Sequence, residues 1–170
     1  SLRAMRFPLV FTAFLVGGCA SAAPIVGGPF QGDPQNHTYD LGGTSVTLVK
    51  GMHEQRTGEG VDDVIQTDLT QVRADADFDG DGATDAAVVV TRDEGTLKGH
   101  YLAVLLGGGQ TLTLKLVLVQ RLALHPKGGI QVDMLGREEG GSEEEPPGLE
   151  QSLRVEIKGG KLALAVPPTK

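Results

Sequence analysis

Tryptophan is absent from this chain, cysteine occurs once in 170 residues, and aromatic side chains make up only 4% of it. A core must therefore be assembled from Val, Leu and Ala, each of which buries less area than an aromatic ring. One cysteine excludes an internal disulfide. Basic residues are also in deficit: 15 Lys and Arg stand against 22 Asp and Glu, for a net charge of −7. No basic cluster interrupts this balance, so the electrostatic footprint of nucleic-acid binding is missing and nucleic acid is not an expected partner. Familiar catalytic signatures are lacking as well. His37, His53, His100 and His125 are scattered without an H-E-x-x-H pattern, no G-x-S-x-G elbow occurs, and Gly107-Gly108-Gly109 lacks the Lys-Ser/Thr of a phosphate loop. The expectation is a noncatalytic protein. A hydrolase built on paired Asp or Glu residues stays open, because such pairs converge from distant positions.

What is present begins with an export pattern. Arg3 and Arg6 precede an apolar run from Phe7 to Val16, followed by Gly17, Gly18 and Cys19. That is the positive, apolar, small-residue order of a signal peptide, and the run is far shorter than the ~20 residues a membrane-spanning helix needs. Two processing sites compete. Leu15 to Cys19 has the form of a lipobox, in which the Cys19 thiol accepts a lipid and becomes the first mature residue. Ala20-Ser21-Ala22 has the A-x-A form that would release a soluble protein beginning at Ala23. The lone cysteine stands at the one position where lipidation requires it, so residues 1–18 are expected as signal peptide and 19–37 as a lipidated tether. The expected location is the cell envelope, periplasmic or surface-exposed, with the membrane as a partner through Cys19.

Residues 38–170 are then expected to form one β domain. Gly42-Gly43 separates 38–41 from 44–49 as a hairpin turn separates strands, and 51–60 reads as a polar loop. Further strands are expected at 64–69, 71–78, 85–92, 99–106, 111–120, 129–135, 152–158 and 161–166, where apolar residues alternate or form short β-branched runs. No helical period is sustained. The fold class is therefore all-β, an antiparallel meander or partly open barrel. Between Gly136 and Gly148, five glutamates with Pro146-Pro147 read as a solvated loop, since like charges repel and proline cannot join a sheet ladder; the alternative is a weak cation or partner patch.

The most specific chemistry lies at 77–85. Asp77, Asp79, Asp81 and Asp85 occupy relative positions 1, 3, 5 and 9, with Gly82 at 6 and the Ala83 carbonyl available at 7. Alternating carboxylates turned inward by a glycine bend offer the several oxygen ligands that calcium accepts in irregular geometry; magnesium demands a stricter octahedron. Calcium is the expected cofactor, with Asp77, Asp79, Asp81, Ala83 and Asp85 as ligands. An EF-hand would place Glu at position 12, where this chain has Val88, and apolar β-branched residues follow, so strands and not helices should flank the loop. Asp75 lies outside the pattern. The alternative is a plain polar turn, for which Asp and Gly are also suited.

The loop resembles the D-x-D-x-D-G-x-x-D turn of FG-GAP and integrin-like repeats, present here once. Over a wider span, Thr44 to Gly51, Ala76 to Val90, Gly99 to Leu106 and Lys158 to Leu162 are similar to small bacterial envelope lipoproteins. This chain departs from them in having His100-Tyr101 where two aromatics are usual, and in its glutamate-rich insertion. The resemblance implies an envelope location and a calcium loop, and no particular activity. The function expected is a calcium-stabilised binding or structural module. The alternative is an envelope stress or inhibitor protein that captures another envelope protein by strand-edge pairing.

Overall fold

Among the described residues, alternation along the chain converts into eleven antiparallel strands joined mostly in simple succession. The computed structural model describes residues 28–60, 63–94, 98–136 and 148–165. The expected signal peptide 1–18, Cys19, and the glutamates and prolines of 137–147 lie outside the described residues.

β1 (Thr38–Asp40) and β2 (Ser45–Thr47) form a separate hairpin. β3 (Met52–Arg56), β4 (Val64–Ala76), β5 (Asp85–Asp93), β6 (Lys98–Leu105) and β7 (Thr111–Leu116) make a five-stranded sheet in sequence order. β8 (Leu118–Leu124), β9 (Ile130–Gly136), β10 (Leu149–Lys158) and β11 (Lys161–Leu164) make a four-stranded one. The fold is all-β and the sheets do not close into a barrel, so the meander is the architecture.

The three layers follow from side-chain parity. Ala87 and Val89 of β5 point, with Leu102 and Val104 of β6, into one core completed by Val119, Leu122, Ile130, Val132 and Val155 of the four-stranded sheet. Ala86, Val88 and Val90 point the opposite way and are covered, with Tyr101 and Leu105, by Tyr39, Leu41, Val46 and Leu48 around the hairpin. Every residue of β5 except Asp93 is therefore buried. A strand covered on both faces needs the continuous apolar run that 86–90 supplies.

Several expectations change. The stretch 51–60 is not all loop, because β3 pairs with 64–68 of β4. The strands expected at 64–69 and 71–78 are one strand, interrupted between Leu69 and Arg73 by a bulge that adds two residues to β4 and so leaves Val72, Ala74 and Ala76 facing the core. The strand expected at 111–120 divides at Val117, where the chain leaves one sheet for the other.

Part of the segment expected as a tether, from Phe30 to His37, is attached to the domain. Asp33 caps a 3-10 turn over Pro34–Asn36, Phe30 N donates to Thr84 O at 2.8 Å, and the buried Tyr39 hydroxyl donates to Pro34 O at 2.7 Å. Phe30 also packs edge-on to His37, with ring centroids 6.0 Å apart. Buried aromatic area and satisfied backbone groups attach this strap to the domain.

His100 lies on the sandwich-facing side of β6, opposite Thr91 and Leu116, and is nine-tenths buried with no hydrogen-bond partner for Nδ1. Burial first, and the nearby Lys98 charge second, hold the imidazole below its ordinary range. Folding then favours the neutral ring: its contribution is complete above the unfolded value of ~6.5 and declines as pH falls from there towards the folded value. His37, depressed by burial, acts in the same direction. Wild type is expected to lose more melting temperature than His100→Leu on acidification from about pH 7.5 to about 5.5. Parallel losses in the two proteins would contradict a buried neutral His100.

Candidate metal centre

The loop joining β4 to β5 is organised by its own carboxylates. Gly80 and Gly82 take φ values of 83° and 87°, a left-handed backbone that a side chain would strain. Those turns bring successive amides inward. Asp77 accepts from Gly80 N at 2.7 Å through Oδ1 and from Gly82 N at 3.0 Å through Oδ2. Asp79 Oδ1 accepts from Asp81 N at 3.0 Å, and Asp81 Oδ1 from Ala83 N at 2.7 Å. Positive amide dipoles thus offset part of the repulsion among the acids, while each carboxylate retains further lone pairs.

Two residues fix the loop to the core. Phe78 is 4% exposed and enters the sandwich interior between two aspartates. Asp85, at 1% exposure, accepts from Phe78 N at 3.0 Å and approaches Gly107 N at 3.4 Å in the turn between β6 and β7. Burial, with Asp79 nearby, raises Asp85 above the ordinary carboxylate range, although the Phe78 amide opposes that shift. Asp79 is raised too, by partial desolvation and by Asp81 and Asp77 beside it. A site that makes carboxylates reluctant to ionise is one where a cation replaces unfavourable repulsion with attraction.

Asp77, Asp79 and Asp85 each offer an oxygen within 4.8 Å of the others, so this group could hold a metal ion. Asp81 lies in the same loop, with its carboxylate engaged by the Ala83 amide, and is not part of that convergent group. Ala83 follows the Gly82 bend. Asp75 turns away to a two-toothed ion pair with Arg73, which leaves it outside the site. Among the described residues, no histidine joins such a group.

Sequence reasoning missed Phe78 as the loop's apolar anchor and Gly107 as a partner of Asp85. An aromatic residue within a run of aspartates was the available signal for the first. For Gly107 no local signal exists, because the contact spans 22 positions. No family model, curated protein or solved structure matches the chain.

Proposed function

We propose that this chain is a noncatalytic envelope lipoprotein whose aspartate loop binds calcium and so stabilises a β domain serving as a binding or structural module. The carrying observation is the convergence of Asp77, Asp79 and Asp85 in a loop whose last ligand is buried at the start of the central strand. Oxygen-only donors and a flexible turn suit calcium, and Asp81 and the Ala83 carbonyl would complete its shell after small loop adjustments. The role is structural: a cation holding these acids favours the folded loop that connects β4 to β5. The signal-like order of residues 1–19 supports export and lipidation of Cys19, which would hold the domain at a membrane.

Calcium at ten times its dissociation constant should add about 1.4 kcal/mol to stability by linkage. A rise of roughly 5 °C in melting temperature is expected between chelator and millimolar calcium. Asp79→Ala with Asp81→Ala should abolish that rise without lowering the chelated midpoint, because it also removes repulsion. Equal wild-type melts in both conditions, with no heat of binding on titration, would reduce the loop to a polar turn.

Lipidation has its own test. Mass spectrometry of membrane-fraction protein should find a diacylglycerol-sized increment on Cys19, and Cys19→Ser should move the protein to the soluble fraction. A soluble wild type beginning at Ala23 would refute the anchor.

A second reading, partner capture by strand addition, draws support from β3, an edge strand with four of its five residues exposed. Capture of an envelope protein that is lost on placing proline at Gln55 and is unaffected by chelator would favour it.

A further inference from the structure

We propose that a cleft between the N-terminal strap and the β4 bulge binds a small zwitterion, an amino acid or short peptide carrying both a carboxylate and an ammonium. The cleft measures about 510 Å³, within the range of small-ligand sites. It is distinct from the aspartate loop and does not depend on an ion there.

Backbone strain first marks the cleft. Val49 and Met52 bridge across Lys50 and Gly51, a two-residue connection in which both central residues have positive φ, 56° and 84°. Such turns favour Asn-Gly. Lys50 is the only non-glycine residue with positive φ among the described residues, and an L side chain there is strained. The strap holds it in place: Asn36 Oδ1 accepts from Lys50 N at 3.0 Å, and Gln35 O accepts from Gly51 N at 2.8 Å. A lysine kept where asparagine would fit more easily points to a use for its ammonium, which forms no ion pair among the described residues.

The opposite wall is the bulge. Thr70, Gln71 and Val72 have no register partner on β5, and β3 pairing has ended at Asp68. Thr70 and Gln71 therefore line the cleft outside the regular ladder. Arg73 closes the bulge; Asp75 orients its guanidinium through Nε and Nη2, leaving Nη1 donors available.

Both signs of charge face the same space. Lys50 and Arg73 supply two cations and Asp33 an anion. The Asp68 carboxylate, bonded by Gln66, projects from the opposite face of β4. Asp33 already accepts from Gln35 N and Asn36 Nδ2, but a carboxylate has about four lone-pair sites. A simple anion would leave Asp33 unmatched, and a simple cation would be repelled by Lys50 and Arg73. A zwitterion meets both signs, while the half-buried Leu69 provides an apolar surface for a side chain.

The test is NMR titration of the full chain with the dipeptide alanyl-leucine, its N-acetyl derivative and its C-terminal amide. Alanyl-leucine is expected to shift the Thr70 and Gln71 amides at millimolar concentration. Each blocked derivative should bind about ten- to a hundredfold more weakly, as should Lys50→Asn and Arg73→Gln. Lys50→Asn should melt no lower than wild type, since asparagine tolerates the left-handed backbone; this separates binding from folding. Unshifted amides, equal binding of the N-acetyl peptide, or wild-type affinity in folded Lys50→Asn would each overturn the proposal.

Discussion

Asp85→Ala is expected to destabilise the chelated protein by about 2 kcal/mol, far more than the same change at Asp79 or Asp81. The Phe78 amide lies beside a buried ring and donates to Asp85 Oδ2 at 3.0 Å, so truncation leaves a donor without an acceptor. Such a loss costs roughly 1–3 kcal/mol. The weaker approach to Gly107 N at 3.4 Å adds little by distance, but it links the loop to the turn between β6 and β7. Relief of repulsion from Asp79 offsets part of the loss. Asp79 and Asp81 are more exposed and bond only within the loop, so they have less to lose. Asp85→Asn separates the two roles of the carboxylate. Its carbonyl can still accept from Phe78, which should restore most chelated stability, while loss of charge should remove most of the calcium response. Urea unfolding of the three proteins with and without calcium measures both effects. A full calcium response in Asp85→Asn would exclude the Asp85 charge from the ion site.

The largest loss should come from the shared core. Leu102 is 0% exposed on β6, paired with Val89 on one side and Leu114 on the other, and faces the four-stranded sheet. Leu102→Ala should cost about 3–5 kcal/mol through lost transfer energy and the cavity left behind. That approaches the whole stability of many domains. Leu124→Ala is the contrasting case: Leu124 is 51% exposed at the end of β8, and its truncation should change stability by less than about 0.5 kcal/mol. Equal shifts of the urea midpoint would mean that the two sheets do not share the core between them.

The strands and the loop were legible in the sequence to different depths. Thr111 to Leu116 alternates polar and apolar residues, and β7 has that span. The aspartate spacing located the turn between two strands and, among its five expected ligands, the three that converge there, Asp77, Asp79 and Asp85. Less visible was β3, because Met52-His53-Glu54-Gln55-Arg56 has too little apolar content to be distinguished from a loop. Its strand state comes from pairing with β4. The bulge was hidden for a related reason: the unpaired Thr70-Gln71-Val72 between Leu69 and Arg73 imitates the end of one strand and the start of another.

The sequence by itself determined the β character, the composition of the core and the oxygen chemistry of residues 77–85. These are local properties, carried by side-chain type and by spacing within about ten residues. Tertiary structure alone decided that β5 is covered on both faces, that the strap from Phe30 belongs to the domain, and that Asp85 reaches the turn at Gly107. It also brought Lys50 and Arg73 to opposite walls of one cleft. These arrangements depend on how sheets stack and where a strap crosses them, and short-range residue patterns do not specify which distant surfaces will meet.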